Sequence, residues 1–103
     1  MNTKNIEKIE SQTFRRLISH LQSRTEVQNI DIMNLTGFCR NCLYKWMHEA
    51  ARESDEALSV EEAQEYVYGM PYDDWKKKFS IFYNSLFYRK NKNIEHINEK
   101  ATS

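Results

Sequence analysis

Residues 35–50 read LTGFCRNCLYKWMHEA, and the fold turns on how this stretch is read. Leu35, Phe38, Cys39, Cys42, Leu43, Trp46, Met47 and Ala50 recur at steps of three or four alternating with one, the period of a helix with one apolar face. The spacing predicts a helix over 35–52, with Asn34 or Thr36 as its cap. Gly37 either sits in the entering turn or lets a neighbouring backbone come close. Cys39 and Cys42 are the only cysteines, and both fall on the inward face, where small thiols pack well and react slowly.

The flanking sequence extends the same pattern. Upstream, Ile6, Ile9, Phe14, Leu17, Ile18 and Leu21 predict a helix over 6–24. Between the two runs, TEVQNIDIMN mixes β-branched residues with Asn and Asp and reads as an ordered connector anchored by Val27, Ile30 and Ile32. Downstream, the loop ARESDEAL leads to Ser59, and Glu62 three positions later completes a capping-box pattern for a helix over 60–69. Val60, Ala63, Val67 and Met70 give it one apolar face, and Gly69 marks its end. Pro71 suits a first helical position, Asp73 and Asp74 suit the positive end of a helix, and Lys77 and Lys78 follow each at four residues. The stripe Tyr72, Trp75, Phe79, Phe82, Leu86 carries that helix over 72–88.

These runs predict an all-α, compact, bundle-like domain of about four helices over residues 1–88, with a polar, loosely ordered tail over 89–103. A chain of 103 residues supports one modest core. Two glycines and one proline are too few for the tight turns of a sandwich or barrel. Formal charge sums to zero, but residues 34–75 carry −6 and residues 76–103 carry +5. Such polarity can be satisfied within the chain, between copies, or by an outside anion. The opening MNTKNIEKIE has no long apolar stretch, so the expectation is a cytoplasmic protein with no membrane segment and with reduced cysteines.

The cysteine pair has three readings. A structural zinc or iron needs more ligands than Cys39 and Cys42 supply. His20 flanks the apolar face of the first helix and is the better third candidate, whereas His48 on one continuous helix turns 900° from Cys39 and faces away. A redox dithiol would use Cys39 near a helix start beside Arg40, but the strand that precedes such motifs in thioredoxin-like proteins is missing upstream. A quiet packing pair needs no added component, so no cofactor is expected.

Arg40, Asn41, Lys45, His48 and Tyr72 form the candidate interaction surface, with Arg40 and Asn41 expected to point to solvent or a partner. Phe82, Phe87 and Tyr88 are candidates for burial in a homodimer or against another protein. Lys76, Lys77, Lys78, Arg89, Lys90 and Lys92, interleaved with Tyr83, Phe87 and Tyr88, offer a weaker nucleic-acid alternative, because helical spacing already explains most of these aromatics. No glycine-rich phosphate loop or acyl-transfer pattern is present in the sequence.

The strings FRRLISHLQSRTEVQNID (14–31), VQNIDIMNLTGFCRNCLYKW (27–46) and VYGMPYDDWK (67–76) resemble the DUF1244 family of short bacterial proteins. The resemblance covers roughly residues 10–80. It implies a small all-helical fold and no assigned reaction, so no catalytic role passes to the GFCRNC or YGMPY blocks.

Overall fold

The structure, a computed structural model, describes residues 2–81, 83 and 84. These residues form an all-α fold with five helices among them: α1 (Thr3–Ser23), α2 (Asn29–Thr36), α3 (Arg40–Glu53), α4 (Val60–Tyr68) and α5 (Tyr72–Phe79). No strand occurs among the described residues. The polar tail over 89–103, with Arg89, Lys90 and Lys92, lies outside them, as do Phe82, Leu86, Phe87 and Tyr88.

The expected helix over 35–52 is two elements with a corner between them. Gly37 adopts φ +81, and its amide donates to the Met33 carbonyl at 2.9 Å, which closes α2 with a left-handed cap. A Cβ on Gly37 would meet nothing within 4 Å, so glycine is needed there for its backbone angle and not for a close approach. Cys39 is extended and serves as the N-cap of α3. Thr36 therefore ends one helix and does not start the next; its hydroxyl donates to the Ile32 carbonyl at 2.7 Å and accepts from the Phe38 amide at 3.4 Å. The connector expected over TEVQNIDIMN largely becomes α2, whose opening is held where the Gln28 amide donates to the Asp31 carboxylate at 3.3 Å. Apolar periodicity carries across a left-handed glycine without registering the change in chain direction.

The other two start signals hold. Ser59 and Glu62 close a reciprocal capping box, the Glu62 amide donating to Ser59 Oγ at 3.0 Å and the Ser59 amide to Glu62 Oε1 at 3.1 Å. Pro71 sits at the N-cap of α5, one residue before the first helical position expected for it, with Asp73 and Asp74 in the first turn as expected. The ion pair formed is Asp73 with Lys76, three residues apart at 3.2 Å, in place of the expected pairing with Lys77. The expected helix to 88 is broken at Ser80, which is extended and ends α5 at Phe79; residues 81, 83 and 84 are helical again, the Asn84 amide donating to the Ser80 carbonyl at 3.0 Å, and 85–88 lie outside the described residues. The Gln28 side chain bridges that break: its Nε2 donates to the Phe79 carbonyl at 2.8 Å, and its Oε1 accepts from the Ile81 amide at 3.0 Å.

Ile18, Leu43, Val67, Tyr68 and Trp75 make the core, with one residue each from α1, α3 and α5 and two from α4. Each large apolar side chain buried this way contributes about 1.5–3 kcal/mol. Around them pack Phe14, Leu21, Phe38, Tyr44, Met70, Tyr72 and Phe79. Tyr68 is the aromatic pivot, with ring centroids 4.9 Å from Tyr72 and 5.0 Å from Trp75. The inward positions assigned to Leu35, Trp46 and Val60 are corrected: all three are exposed, Leu35 to 87% and Trp46 to 53%.

Gly69 closes α4 at φ +73, and a Cβ there would lie 2.9 Å from the Gln22 side chain, which donates to the Tyr66 carbonyl at 3.0 Å. Changing Gly69 to Ala adds left-handed strain to a displaced cap, with an expected loss of about 1–3 kcal/mol in urea unfolding. Gly37→Ala meets only the backbone cost and should lose less.

The Ser59–Glu62 box also fixes a pH response. The hydrogen bond from the Ser59 amide, and after it that with the Ser59 side chain, holds the Glu62 carboxyl below its ordinary value. Because the folded value is lowered, this contribution is present above about pH 4.3, the unbound Glu value, and is lost as pH falls through the folded one. Glu62→Gln should therefore destabilise the fold at pH 7 and by less at pH 3, read from paired urea melts, because protonation of Glu62 already weakens the bond from the Ser59 amide at the lower pH.

Candidate functional site

Arg40 stands at the inner end of the corner between α2 and α3. On α3 it precedes Leu43 by three residues and Met47 by seven, so helical register directs it along the buried stripe. It is 1% exposed, which corrects the expectation that it points to solvent. Its guanidinium meets carbonyls in place of a carboxylate. Nη1 donates to the Val27 carbonyl at 2.9 Å and to Asn29 Oδ1 at 3.0 Å; Nη2 donates to the Arg24 carbonyl at 2.9 Å and to the Leu21 carbonyl at 3.5 Å. The cation also lies 4.9 Å from the Trp75 ring centroid.

Each partner follows from local structure. The Leu21 carbonyl belongs to the last turn of α1, and Arg24 is that helix's C-cap, so these oxygens lie at the negative end of the helix dipole. Val27 lies in the link to α2, and Asn29 opens α2. One planar fork therefore joins the end of α1, the link, the start of α2 and the aromatic face of α5. Burial pushes the Arg40 guanidinium below its ordinary pKa, with nearby Tyr68, Cys39 and Glu26 working in the opposite direction.

A second polar chain runs from it. Asn29 Oδ1 accepts from Arg40, and Asn29 Nδ2 donates to the Tyr68 hydroxyl at 2.9 Å. That hydroxyl donates in turn to Asn41 Oδ1 at 2.6 Å. Asn41 is thus half-buried and turned to α4, a further correction to its expected outward placement. Burial raises the Tyr68 phenol above its usual range, so it remains a neutral donor. No side-chain polar atom buried among the described residues lacks a partner.

The chemistry-bearing candidates are distributed as follows. Cys39 is buried at the N-cap of α3, and Cys42 is half-buried in its first turn; neither is in a disulfide. His20 is exposed in the last turn of α1. Among the described residues, no three His, Cys, Asp or Glu side chains converge as a metal-holding group. His48 is half-buried, with Nδ1 2.8 Å from the Leu58 carbonyl, while Lys45 is exposed beside it in sequence. Tyr72 is half-buried, with the Lys76 ammonium 4.8 Å from its ring centroid. Lys76 also pairs with Asp73, so one of the basic residues considered for phosphate binding is held within α5. No described helix is long and apolar enough to cross a membrane.

Sequence reasoning missed Asn29 and Trp75 as partners of Arg40, and Tyr68 as the partner of Asn29. The available signal was Arg40 itself, placed on the stripe continued by Leu43 and Met47, where a charge requires several acceptors.

The outer side of α3 carries a different feature. Trp46 separates two surface concavities: one of about 360 Å3, lined by Phe14, Leu43, Trp46, Met47 and Ala50, and one of about 490 Å3, lined by Tyr44, Lys45, Trp46, His48, Glu49 and Val60. Phe38 packs against the Trp46 ring at a centroid distance of 6.1 Å.

A small helical domain organised by a buried, carbonyl-bound arginine and carrying an exposed aromatic ridge is the class this geometry defines. The model of a family described as "Protein of unknown function (DUF1244)" matches residues 27–81, a span that takes in the whole Arg40 network except the end of α1, and the chain belongs to that family. A search of curated proteins found no match.

Arg40→Ala leaves the Val27 carbonyl and Asn29 Oδ1 without this donor and leaves the Arg24 carbonyl only the Val27 amide at 3.1 Å, for an expected loss of about 3–5 kcal/mol. Arg40→Lys keeps the charge but not the planar fork, and should recover less than half of that loss in urea unfolding. Equal stability of the lysine variant and the parent would contradict the fork geometry.

Proposed function

We propose that this chain is a noncatalytic protein-interaction domain that works without a cofactor and binds its partner through the α3 face around Trp46. The observation that carries the reading is the 53% exposure of Trp46 between two concavities, one almost wholly apolar in its lining. Exposed tryptophan is costly to leave in water and is enriched where interfaces concentrate their energy. The GFCRNC block then serves as scaffold: Gly37 turns the chain, Cys39 starts α3, and Arg40 spends its donors on carbonyls of its own chain. Lys45 and His48 border the Trp46 ridge and supply polar contacts at its rim. The free cysteines are compatible with the cytoplasmic setting proposed for the domain.

One observation favours a second reading. Cys39 at the N-cap and Cys42 in the first turn place both thiols at the start of one helix, the arrangement a dithiol enzyme or a metal protein would use. Native mass spectrometry of protein purified without chelator or added metal separates the two. The interaction reading expects complexes of whole chains with no metal mass, and native thiols that react slowly until unfolding. Stoichiometric zinc or iron that disappears when Cys39 and Cys42 are changed to Ser, or a fast thiolate at Cys39, would overturn it.

A further inference from the structure

The break at Ser80 is built from few parts. Ser80 keeps a near-helical φ of −77° and departs only in ψ, 112° against the helical value of about −42°. One torsion therefore bends a chain whose apolar stripe, Tyr72, Trp75, Phe79 and Phe82, runs straight through it in the sequence. A continuous helix would pair the Ile81 amide with the Lys77 carbonyl and the Tyr83 amide with the Phe79 carbonyl. In the bent chain Ile81, Phe79 and Tyr83 have substitute partners. Gln28 Oε1 accepts from the Ile81 amide at 3.0 Å, Gln28 Nε2 donates to the Phe79 carbonyl at 2.8 Å, and Ser80 Oγ accepts from the Tyr83 amide at 3.1 Å. Lys77, the fourth residue of the set, is exposed to water. The flanking bonds are those of a continuous helix and are made across the bend as well, from the Ser80 amide to the Lys76 carbonyl at 3.1 Å and from the Asn84 amide to the Ser80 carbonyl at 3.0 Å.

We propose that Gln28 is the latch of a two-state hinge: engaged, it holds the chain bent at Ser80; withdrawn, it lets α5 run on through Ser80 to Asn84. Its side-chain amide offers a donor to the Phe79 carbonyl and an acceptor to the Ile81 amide, the two groups that straightening would pair within the helix. Hydrogen bonds are thus exchanged like for like, which keeps the two states close in free energy. The backbone around Gln28 is fixed, because the Val27 carbonyl before it and Asn29 Oδ1 after it both accept from Arg40, at 2.9 and 3.0 Å. The Gln28 side chain is therefore the moving part. Lys76 supports the bent state, its ammonium lying 4.8 Å from the Tyr72 ring centroid and 5.8 Å from that of Tyr83. On a continuous helix Tyr83 would start about 10.5 Å beyond Lys76, so this bracket closes only across the bend. Gln28 and Ile81 are also the second and the last residues of the family-matched span 27–81, and the latch ties the ends of that span together. The direction of the chain at Asn84 then depends on α2. A partner that draws the Gln28 amide away straightens α5, and by the same coupling a partner that grips the bent chain steadies the start of α2. This device is separate from the Trp46 face and does not depend on the interaction reading.

Nuclear magnetic resonance of the full chain reads the hinge at the Ser80 Cα shift, which is upfield for an extended residue, downfield for a helical one, and averaged by population between the two. The parent should show the extended value. Gln28→Ala removes both latch bonds and should raise the straight-to-bent ratio about tenfold, moving the shift downfield. The Ile81 and Tyr83 amides should stay protected from hydrogen exchange in that variant, now by the Lys77 and Phe79 carbonyls. Gln28→Glu gives a reversible version, read against the parent at the same pH. At pH 7 its carboxylate accepts from Ile81 but has no proton for the Phe79 carbonyl, so the shift moves downfield; below about pH 4.3 protonation restores the donor and the shift returns toward the parent's. A folded Gln28→Ala with the parent's Ser80 shift would overturn the latch, because something else would then hold the bend. Loss of protection at Ile81 and Tyr83 would overturn the two-state hinge, since the turn would have melted instead of straightening. A helical Ser80 in the parent would overturn both. If Gln28→Ala does not fold, Gln28→Glu decides alone, and a shift that fails to return at low pH counts against the proposal.

Discussion

A guanidinium buried without a carboxylate is the constraint on which this fold depends. Placing the Arg40 charge at 1% exposure is expensive unless its donors are met, and here they are met by carbonyls at the end of α1, which use a second lone pair beside the bonds from the Arg24 and Val27 amides. The cost and the remedy come from the same place. The end of α1 supplies Leu21 and Arg24 oxygens because the helix stops there, and it stops there because the link to α2 bends back over Arg40. Trp75 completes the enclosure from α5, so a residue in the corner before α3 sets the position of elements distant from it in sequence.

The two sides of α3 divide the work. Its inner side, through Arg40, Leu43 and Asn41, joins the Tyr68 network and the core. Its outer side presents Trp46, kept in place by Phe38 just past the Gly37 corner. The left-handed glycine therefore has a consequence beyond the local turn: it puts Phe38 beside the ridge and Cys39 at the cap of the same helix. A domain with few core residues gains a defined outer face by fixing one helix firmly from behind.

Much of the fold could be read directly. Ser59 with Glu62, Gly69, and Pro71 ahead of Asp73 and Asp74 are local signals whose physics lies within four residues, and the elements they announce are present. The corner at Gly37 was harder to read, because the apolar spacing of Leu35, Phe38 and Cys39 suits one continuous helix while the backbone makes two. Burial went astray for a related reason. Periodicity identifies an apolar stripe but not whether another element arrives to cover it, so Trp46 and Ile9 were legible as apolar and not as exposed. Arg40 and Asn41 erred in the opposite sense: their acceptors come from Leu21, Arg24, Val27, Asn29 and Tyr68, which converge only once the chain has folded.

Native-state hydrogen exchange of Arg40→Lys, compared with the parent, addresses the organising role of this side chain most directly. If the fork joins α1, α2 and α5, amides at the end of α1, the start of α2 and around Trp75 lose protection together, while the α4 amides behind the Ser59 cap lose less. Loss of protection confined to the first turn of α3, with the end of α1 and Trp75 unchanged, would contradict the account.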